Sequence, residues 1–227
     1  MAITQKQAEW FQTSFASMVD NVELALLGKR HVIELVFAAM VSEGHVLLED
    51  FPGTGKTALA RSMSQTLKGT SSRIQFTPDL LPGDVTGISV YDQKKGVFEF
   101  HAGPIFANVV LADEINRASP KTQSALLEAM EEGKVTIDGV TRSTGVPFIV
   151  IATQNPIEQA GTYRLPEAQL DRFMIKTSIG YPDLASTLKI LEGTSEVMGE
   201  LSPVVSQEVL VQMSDMSRGV FVNPLVL

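Results

Sequence analysis

The sequence predicts an α/β protein built on a parallel sheet that is flanked by helices. Short apolar segments typical of buried strands occur at 45–49 (HVLLE), 108–112 (NVVLA) and 147–152 (PFIVIA). Segments with helical spacing of apolar residues lie between them. Strands that alternate with helices along a chain favour a parallel sheet.

The remaining elements follow from periodicity and from turn residues. Two helices are predicted near the N-terminus, one before Gly28 and one before Gly44, and another over 119–133 with Ser119 as its N-cap and Gly133 after its end. Residues 72–76 alternate as a strand. Two β-rich pairs predict hairpins, at 87–100 and at 134–143. From 181 onward the pattern is helical again.

Length and composition restrict the class of protein. The chain has 227 residues, which predicts one large domain or one domain plus a fragment. The absence of cysteine excludes disulfides and suits a reducing cytosol, so we expect a cytoplasmic protein. No apolar run approaches the ~20 residues that a membrane span needs. A net charge of −8 without a basic stripe disfavours a nucleic-acid partner.

Residues 50–57 (DFPGTGKT) form an almost complete phosphate-binding loop. The pattern G-x-x-x-x-G-K-[ST] is met except at its first glycine, where Asp50 stands. That position lies at a strand end where an ordinary backbone suffices, so we expect the Asp50 side chain to point away from the phosphates. Lys56 would contact the phosphates and Thr57 would offer its hydroxyl to Mg²⁺. The predicted nucleotide-binding residues of the loop are Pro52, Gly53, Thr54, Gly55, Lys56, Thr57 and Ala58.

Two carboxylates end the strand VVLADE, at Asp113 and Glu114. Ligands of open α/β folds bind at the carboxyl ends of the strands. Asp113 would hold Mg²⁺ through its water shell, and Glu114 would polarise the water that attacks a γ-phosphate. An isolated pair of this kind is more often a solvated strand end, but a phosphate loop earlier in the chain favours the functional interpretation.

Two further polar residues complete the candidate site. Asn155 ends the strand IVIATQN, where a neutral amide could orient the attacking water, although Asn-Pro alone signals only a turn. Arg172 in LPEAQLDRF could stabilise charge in the transition state of phosphoryl transfer, or could form a surface ion pair with Asp171 or a nearby Glu.

Together these segments resemble the MoxR family of AAA+ ATPases, which are P-loop NTPases. The most specific matches are DLLPGDVTG (79–87), GPIFANVVLADEINRASPKTQSALLEAMEEGKVTIDG (103–139) and ATQNPIEQAGTYRLPEAQLDRF (152–173). In this family the first position of the phosphate loop is commonly Asp. The resemblance implies a parallel five-stranded sheet, a helix-2 insert hairpin over 88–100, a pre-sensor hairpin over 134–143, and binding of ATP or ADP with Mg²⁺.

The resemblance also implies roles for individual residues. Asn155 would be sensor 1, and Gly28 with the residue before it would line the adenine site. Arg172 would be the arginine finger, which reaches the nucleotide of a neighbouring subunit in a ring, usually a hexamer. Arg117 and Arg164 are weaker candidates for the subunit interface.

The implied organisation is an ATPase core over 1–180 and the start of a helical lid over 181–227. The family's lid continues further and carries a sensor-2 arginine, so we expect a chain ending at NPLVL (223–227) to bind nucleotide but to hydrolyse it poorly. The implied function is chaperone-like remodelling of protein complexes or metalloenzymes, with partners that carry a von Willebrand factor A domain. Alternatives are a chelatase-type motor for metal insertion, a nucleotide-dependent switch without turnover, and a DNA-remodelling AAA+ protein.

Overall fold

The computed structural model describes residues 3–155, 163, 165–191 and 201–222. Its helices are α1 (Gln5–Glu23), α2 (Arg30–Val41), α3 (Lys56–Thr66), α4 (Pro82–Thr86), α5 (Pro120–Glu132), α6 (Glu167–Leu170), α7 (Leu184–Leu191) and α8 (Gln207–Arg218), with a 3-10 turn at Ile115–Arg117. Its strands are β1 (Val46–Glu49), β2 (Ser71–Gln75), β3 (Gly87–Asp92), β4 (Val97–Ala102), β5 (Val109–Asp113), β6 (Lys134–Ile137), β7 (Val140–Ser143), β8 (Ile149–Gln154) and β9 (Ile175–Thr177).

Five strands form the central sheet in the order β2-β5-β8-β1-β9. Every pairing in this sheet is parallel. The prediction of a parallel five-stranded sheet is therefore confirmed. Because parallel strands end at the same edge, the residues after β1, β5 and β8 meet there, and these are the residues that carry the candidate site.

Helices cover both faces of the sheet. Successive residues of a strand point to opposite faces, so Leu48 packs with α1, α2, α3 and α8, whereas Leu47 packs on the side of α4 and α5. Both side chains are almost completely buried. None of the described helices is long and apolar enough to cross a membrane.

Helix α5 shows how local signals fix an element. The Ser119 hydroxyl accepts a hydrogen bond from the Thr122 amide at 3.4 Å, and Pro120 occupies the first turn, where a missing amide costs nothing. Gly133 ends the helix with φ of 61°, in the left-handed region that favours glycine. The predicted cap and stop of this helix are both confirmed.

Both predicted hairpins are present and they contact each other. β3 pairs antiparallel with β4, and β6 pairs antiparallel with β7. The turn of the second hairpin has positive φ at Asp138 and Gly139, 51° and 75°. The Arg142 guanidinium carbon lies 3.9 Å from the centre of the Phe100 ring, a cation–π contact that joins the two hairpins.

The C-terminal helix α8 packs on the helices of the predicted core. Leu210 and Met213 have no exposed surface and belong to the same hydrophobic cluster as α1, α2 and α3. The Ser217 hydroxyl donates to the Val41 carbonyl at 3.3 Å. The division of the chain at residue 180 stays a prediction, and residues 223–227 lie outside the described residues.

Candidate nucleotide site

The loop between β1 and α3 curls around the start of the helix. Gly53 and Gly55 have φ of 86° and 93°, a conformation that side chains disfavour. Apart from its two chain neighbours, none of the described residues has an atom within 4 Å of where a Cβ on Gly53 would stand, so they leave this side of the loop open. The first amides of a helix have no partner within the helix and carry its positive dipole end. The loop therefore has the backbone geometry of an anion cradle.

Lys56 and Thr57 begin α3 and line a pocket of about 380 Å³ together with Asp113 and Glu114. The Lys56 ammonium nitrogen lies 3.9 Å from Asp113 Oδ1 and 3.4 Å from the Phe51 carbonyl, and its side chain is only 11% exposed. The pocket thus combines one largely buried cation, a hydroxyl and two carboxylates next to free helix amides. Two residues from each of two separately predicted motifs, the phosphate loop and the strand VVLADE, come together in this pocket.

Asp113 is held from two sides. Its Oδ1 accepts a hydrogen bond of 2.6 Å from the Thr153 hydroxyl on β8, and its Oδ2 accepts one of 2.7 Å from Arg73 on β2. Neighbouring strands on both sides of β5 therefore fix the orientation of this carboxylate.

Glu114 has an unusual backbone. Its φ of 57° and ψ of 48° place it in the left-handed region, which costs a residue other than glycine about 1 kcal/mol or more. Its amide donates to the Thr153 hydroxyl at 2.9 Å. Its carboxylate accepts from Arg117 at 2.7 Å and from Gln75 at 3.3 Å. The Glu114 side chain lines the pocket, where neighbours from two elements contact its carboxylate.

Asp50 contacts a distant part of the chain. Its carboxylate oxygens accept hydrogen bonds from the amides of Ile179 and Gly180, at 2.5 Å and 2.9 Å, and the residue is 4% exposed. It is not among the described residues with positive φ. The direction of the side chain agrees with the steric prediction. Asp50 thus ties the start of the phosphate loop to the segment that leads into α7.

We expect Asp50→Ala to lower the free energy of unfolding by about 2–3 kcal/mol, since it removes a charged acceptor from two amides, one of them buried. Chemical denaturation measures this. Asp20→Ala is the control, because the Asp20 carboxylate is 63% exposed and its ion pair with Arg30 is worth little. A loss for Asp50→Ala no larger than that of the control would contradict the assigned role of the carboxylate.

A small apolar pocket of about 160 Å³ adjoins the phosphate loop. It is lined by residues 24–27, which follow α1, by Gly53 and Gly55 of the loop, and by Ile190 of α7. Gly28 lies beside it with φ of 71°, and a Cβ there would stand 2.4 Å from the Ser186 hydroxyl oxygen. The position predicted for adenine is thus an apolar surface against which α7 packs closely.

Two of the three arginines predicted for the subunit interface, Arg172 and Arg117, have partners in the same chain. Arg172 donates to Glu131 Oε2 through two nitrogens, at 2.9 Å and 2.6 Å, and does not line the pocket of Lys56. Arg117 pairs with Glu114, and Arg164 lies outside the described residues. Asn155 directly follows β8, at the edge where the strands end. The roles of these residues stay predictions.

The donor set suits a magnesium nucleotide. Among the described residues, no group of three or more His, Cys, Asp or Glu side chains could hold a metal ion by itself. The pocket instead offers the Thr57 hydroxyl and the Asp113 carboxylate, oxygen donors of the type that Mg²⁺ prefers when phosphates supply further ligands. The open side of the loop at Gly53 leaves space for those phosphates.

A third cavity, of about 350 Å³, lies at the opposite end of the strands and is lined partly by His45. His45 Nε2 lies 2.9 Å from the Met130 carbonyl, and its Nδ1 accepts from the Val150 amide at 3.0 Å. Burial lowers the pKa of His45 below its usual value, so the ring is neutral. With both nitrogens engaged, this histidine links β1, α5 and β8 and offers no donor to a ligand.

Sequence reasoning missed three residues that contact the carboxylates, namely Thr153, Arg73 and Gln75. Each lies near the end of a strand adjacent to β5. For Thr153 a signal existed, since a hydroxyl interrupts an apolar strand that is buried on both faces. Arg73 and Gln75 alternate along an ordinary amphipathic strand, so nothing in the sequence distinguishes them.

A phosphate loop between β1 and α3, with two carboxylates at the end of β5 on the same edge of the sheet, defines a P-loop nucleotide-binding protein. The chain belongs to the ATPase family associated with various cellular activities (AAA), whose family model matches residues 45–175. The sequence-based assignment to the MoxR family of AAA+ ATPases is confirmed by the relatives that the chain matches.

The chain is 54% identical over 192 residues to the uncharacterized protein YeaC of Bacillus subtilis, and 42% identical over 203 residues to Chaperone MoxR1 of Mycobacterium tuberculosis. These matches cover 84% and 89% of the chain but 60% and 54% of the relatives, so the chain spans little more than half of their length. A crystal structure from Cytophaga hutchinsonii, described provisionally as an ATPase, matches with a TM-score of 0.86 at 39% identity, over 97% of this chain and 69% of that one.

Proposed function

We propose that this chain binds and hydrolyses Mg-ATP as the core of a MoxR-type AAA+ machine. The observation that carries the proposal is the pocket in which Lys56, Thr57, Asp113 and Glu114 meet beside the N-terminus of α3. A cation, a hydroxyl and two carboxylates at an anion cradle are the groups that phosphoryl transfer requires.

Each group has a defined part in the proposed reaction. Lys56 and the amides of α3 bind the phosphates, and Thr57 with Asp113 would hold Mg²⁺, which neutralises developing charge on the phosphate oxygens. Glu114 would accept the proton of the attacking water, because its carboxylate lines the pocket and that of Asp113 is assigned to the metal. Asn155 would orient that water from the end of β8.

Hydrolysis would be coupled to movement through the two hairpins. They lie next to each other and are joined by the contact of Arg142 with Phe100, so a shift of one is transmitted to the other. We infer a cytoplasmic ring, a hexamer in the complete protein, in which Arg172 acts on the neighbour's nucleotide. The clients would be protein complexes or metalloenzymes, together with a partner that carries a von Willebrand factor A domain.

Nucleotide binding tests the first half of the proposal. We expect Lys56→Ala to weaken binding of a fluorescent ADP analogue, titrated in excess Mg²⁺, by about tenfold to a hundredfold, since it removes a charged contact to the phosphates. Lys121→Ala, which changes an exposed lysine of α5, should bind like the wild type. A wild-type chain that binds no ADP analogue, or a Lys56→Ala variant that binds equally well, would refute the assigned site.

A further inference from the structure

Thr153 occupies a special position in the sheet. It lies near the end of β8, two residues before Asn155, and has no exposed surface. Its hydroxyl donates to Asp113 Oδ1 at 2.6 Å and accepts from the Glu114 amide at 2.9 Å. One hydroxyl on β8 thus contacts both Asp113 and Glu114, the residues that carry the site's carboxylates.

The direction of these hydrogen bonds follows from the chemistry of the groups. An ionised carboxylate only accepts and an amide only donates, whereas a hydroxyl has one proton and two lone pairs. The Thr153 proton must therefore point to Asp113, which leaves a lone pair for the Glu114 amide. Hydrogen bonds to charged groups in a buried setting are the stronger class. The orientation of the hydroxyl is fixed by its two partners.

The bond to Glu114 supports a strained backbone. Glu114 keeps its left-handed conformation although it carries a side chain, and such conformations persist only where the surroundings hold them. The Thr153 hydroxyl contacts the Glu114 amide directly. Without this acceptor the Glu114 amide would lose its partner, and the residue could relax out of the conformation that aims its carboxylate.

A buried threonine is often explained by a bond to its own backbone, and Thr66 is an example. It too has no exposed surface, but its hydroxyl donates to the Ser62 carbonyl of the same helix at 2.8 Å and accepts from the Asn21 side-chain amide at 2.9 Å, neither of which lines the pocket of Lys56. Thr153 donates instead to a side chain 40 residues away on another strand. Thr66 therefore represents a buried hydroxyl with a structural role, whereas the Thr153 hydroxyl contacts the candidate site.

We propose that Thr153 is a positioning residue that aligns Asp113 and Glu114 from the strand that carries Asn155. Its hydroxyl sets the orientation of the Asp113 carboxylate, and through the Glu114 amide it sets the aim of the carboxylate that activates water. This inference rests on the proposed ATPase function. It predicts that loss of the Thr153 hydroxyl lowers turnover and the gain in nucleotide affinity from Mg²⁺. Metal-free nucleotide binding by the phosphate loop should not change.

The test compares Thr153→Val, which keeps the shape but removes the hydroxyl, with Thr153→Ser, which keeps the hydroxyl. Thr66→Val is the control for loss of a buried hydroxyl. For each chain the measurements are kcat and KM for ATP, the melting temperature, and the affinity for a fluorescent ADP analogue in excess Mg²⁺ and in EDTA. The ratio of the two affinities reports the contribution of the metal without requiring turnover.

We expect Thr153→Val to lower kcat by about tenfold to a hundredfold, the range typical of residues that orient a metal ligand. The affinity in EDTA should stay within about twofold, while the gain in affinity from Mg²⁺ should shrink about fivefold or more and the KM for Mg-ATP should rise with it. Thr153→Ser should keep most of the wild-type kcat and most of the wild-type gain in affinity from Mg²⁺. Thr66→Val should lower the melting temperature without changing the kcat or the Mg²⁺ gain.

Several results would overturn the inference. One is a Thr153→Val chain whose kcat and Mg²⁺ gain equal those of the wild type. Another is a serine variant as impaired as the valine variant, or a loss shared by Thr66→Val, because either would show a packing effect. Failure of the proposed function is distinct, since a wild-type chain without turnover would contradict hydrolysis while the Mg²⁺ gain still tests Thr153.

Discussion

Arg172→Ala is expected to lower ATP turnover per subunit by about a thousandfold and to remove its dependence on protein concentration. In one chain Arg172 is bound to Glu131 and lies in a different pocket from Lys56. We propose that an arginine so placed acts on phosphates by reaching the site of a neighbouring subunit. Turnover that depends on such a contact must rise as subunits assemble, and the variant should retain only a low basal rate.

Phosphate release per subunit, measured over a wide range of protein concentrations, tests this prediction. Arg218→Ala is the control. Arg218, on α8, is also an exposed arginine, and its partners are the carboxylates of Glu43 and Asp215. Glu131→Gln removes the charge that holds Arg172 and should leave activity at least at the level of the wild type. A rate independent of concentration and unaffected by Arg172→Ala would exclude both the ring and the finger.

The sequence predicted those parts of the fold that local patterns determine. The strand before the phosphate loop, the capped helix α5 and both hairpins follow from short-range periodicity and turn residues, and all are present. The fifth strand of the sheet, β9, was expected from the family resemblance but could not be located in the sequence, because its three residues carry too little periodicity. The packing of α8 on the core was not anticipated, since an amphipathic helix shows which face is buried but not what covers it.

The residues of the candidate site likewise include some that local patterns predict and some that depend on contacts between distant parts of the chain. Lys56, Thr57, Asp113 and Glu114 lie in motifs whose spacing itself signals phosphate chemistry. The partners of Asp50 lie 129 and 130 residues further along the chain, and Thr153 lies 40 residues from Asp113. Such contacts depend on strand order and register, which a single sequence does not reveal. The motif residues were therefore predictable; of the residues that orient them only Thr153 carried a signal, and its partners did not follow from it.

Glu114→Gln should separate hydrolysis from binding. The substitution keeps the size of the side chain but removes the base, so we expect kcat for ATP to fall by about a hundredfold to ten thousandfold. Nucleotide affinity should change little, because Lys56 and the amides of α3 supply the phosphate contacts. The measurements are steady-state phosphate release and titration with a fluorescent ADP analogue. Glu128→Gln, on the exposed side of α5, is the control and should match the wild type in both.

This pair of measurements also distinguishes a hydrolase from a switch that binds nucleotide without turnover. In a switch, wild type and Glu114→Gln would bind alike and neither would release phosphate. In a hydrolase the wild type releases phosphate and only the Glu114→Gln variant does not. The variant should keep ATP bound in the assembled state, because hydrolysis is blocked. A Glu114→Gln chain that turns over at the rate of the wild type would contradict the role of Glu114 as the base. The strained backbone at φ of 57° would then have to serve the ion pair with Arg117 rather than catalysis.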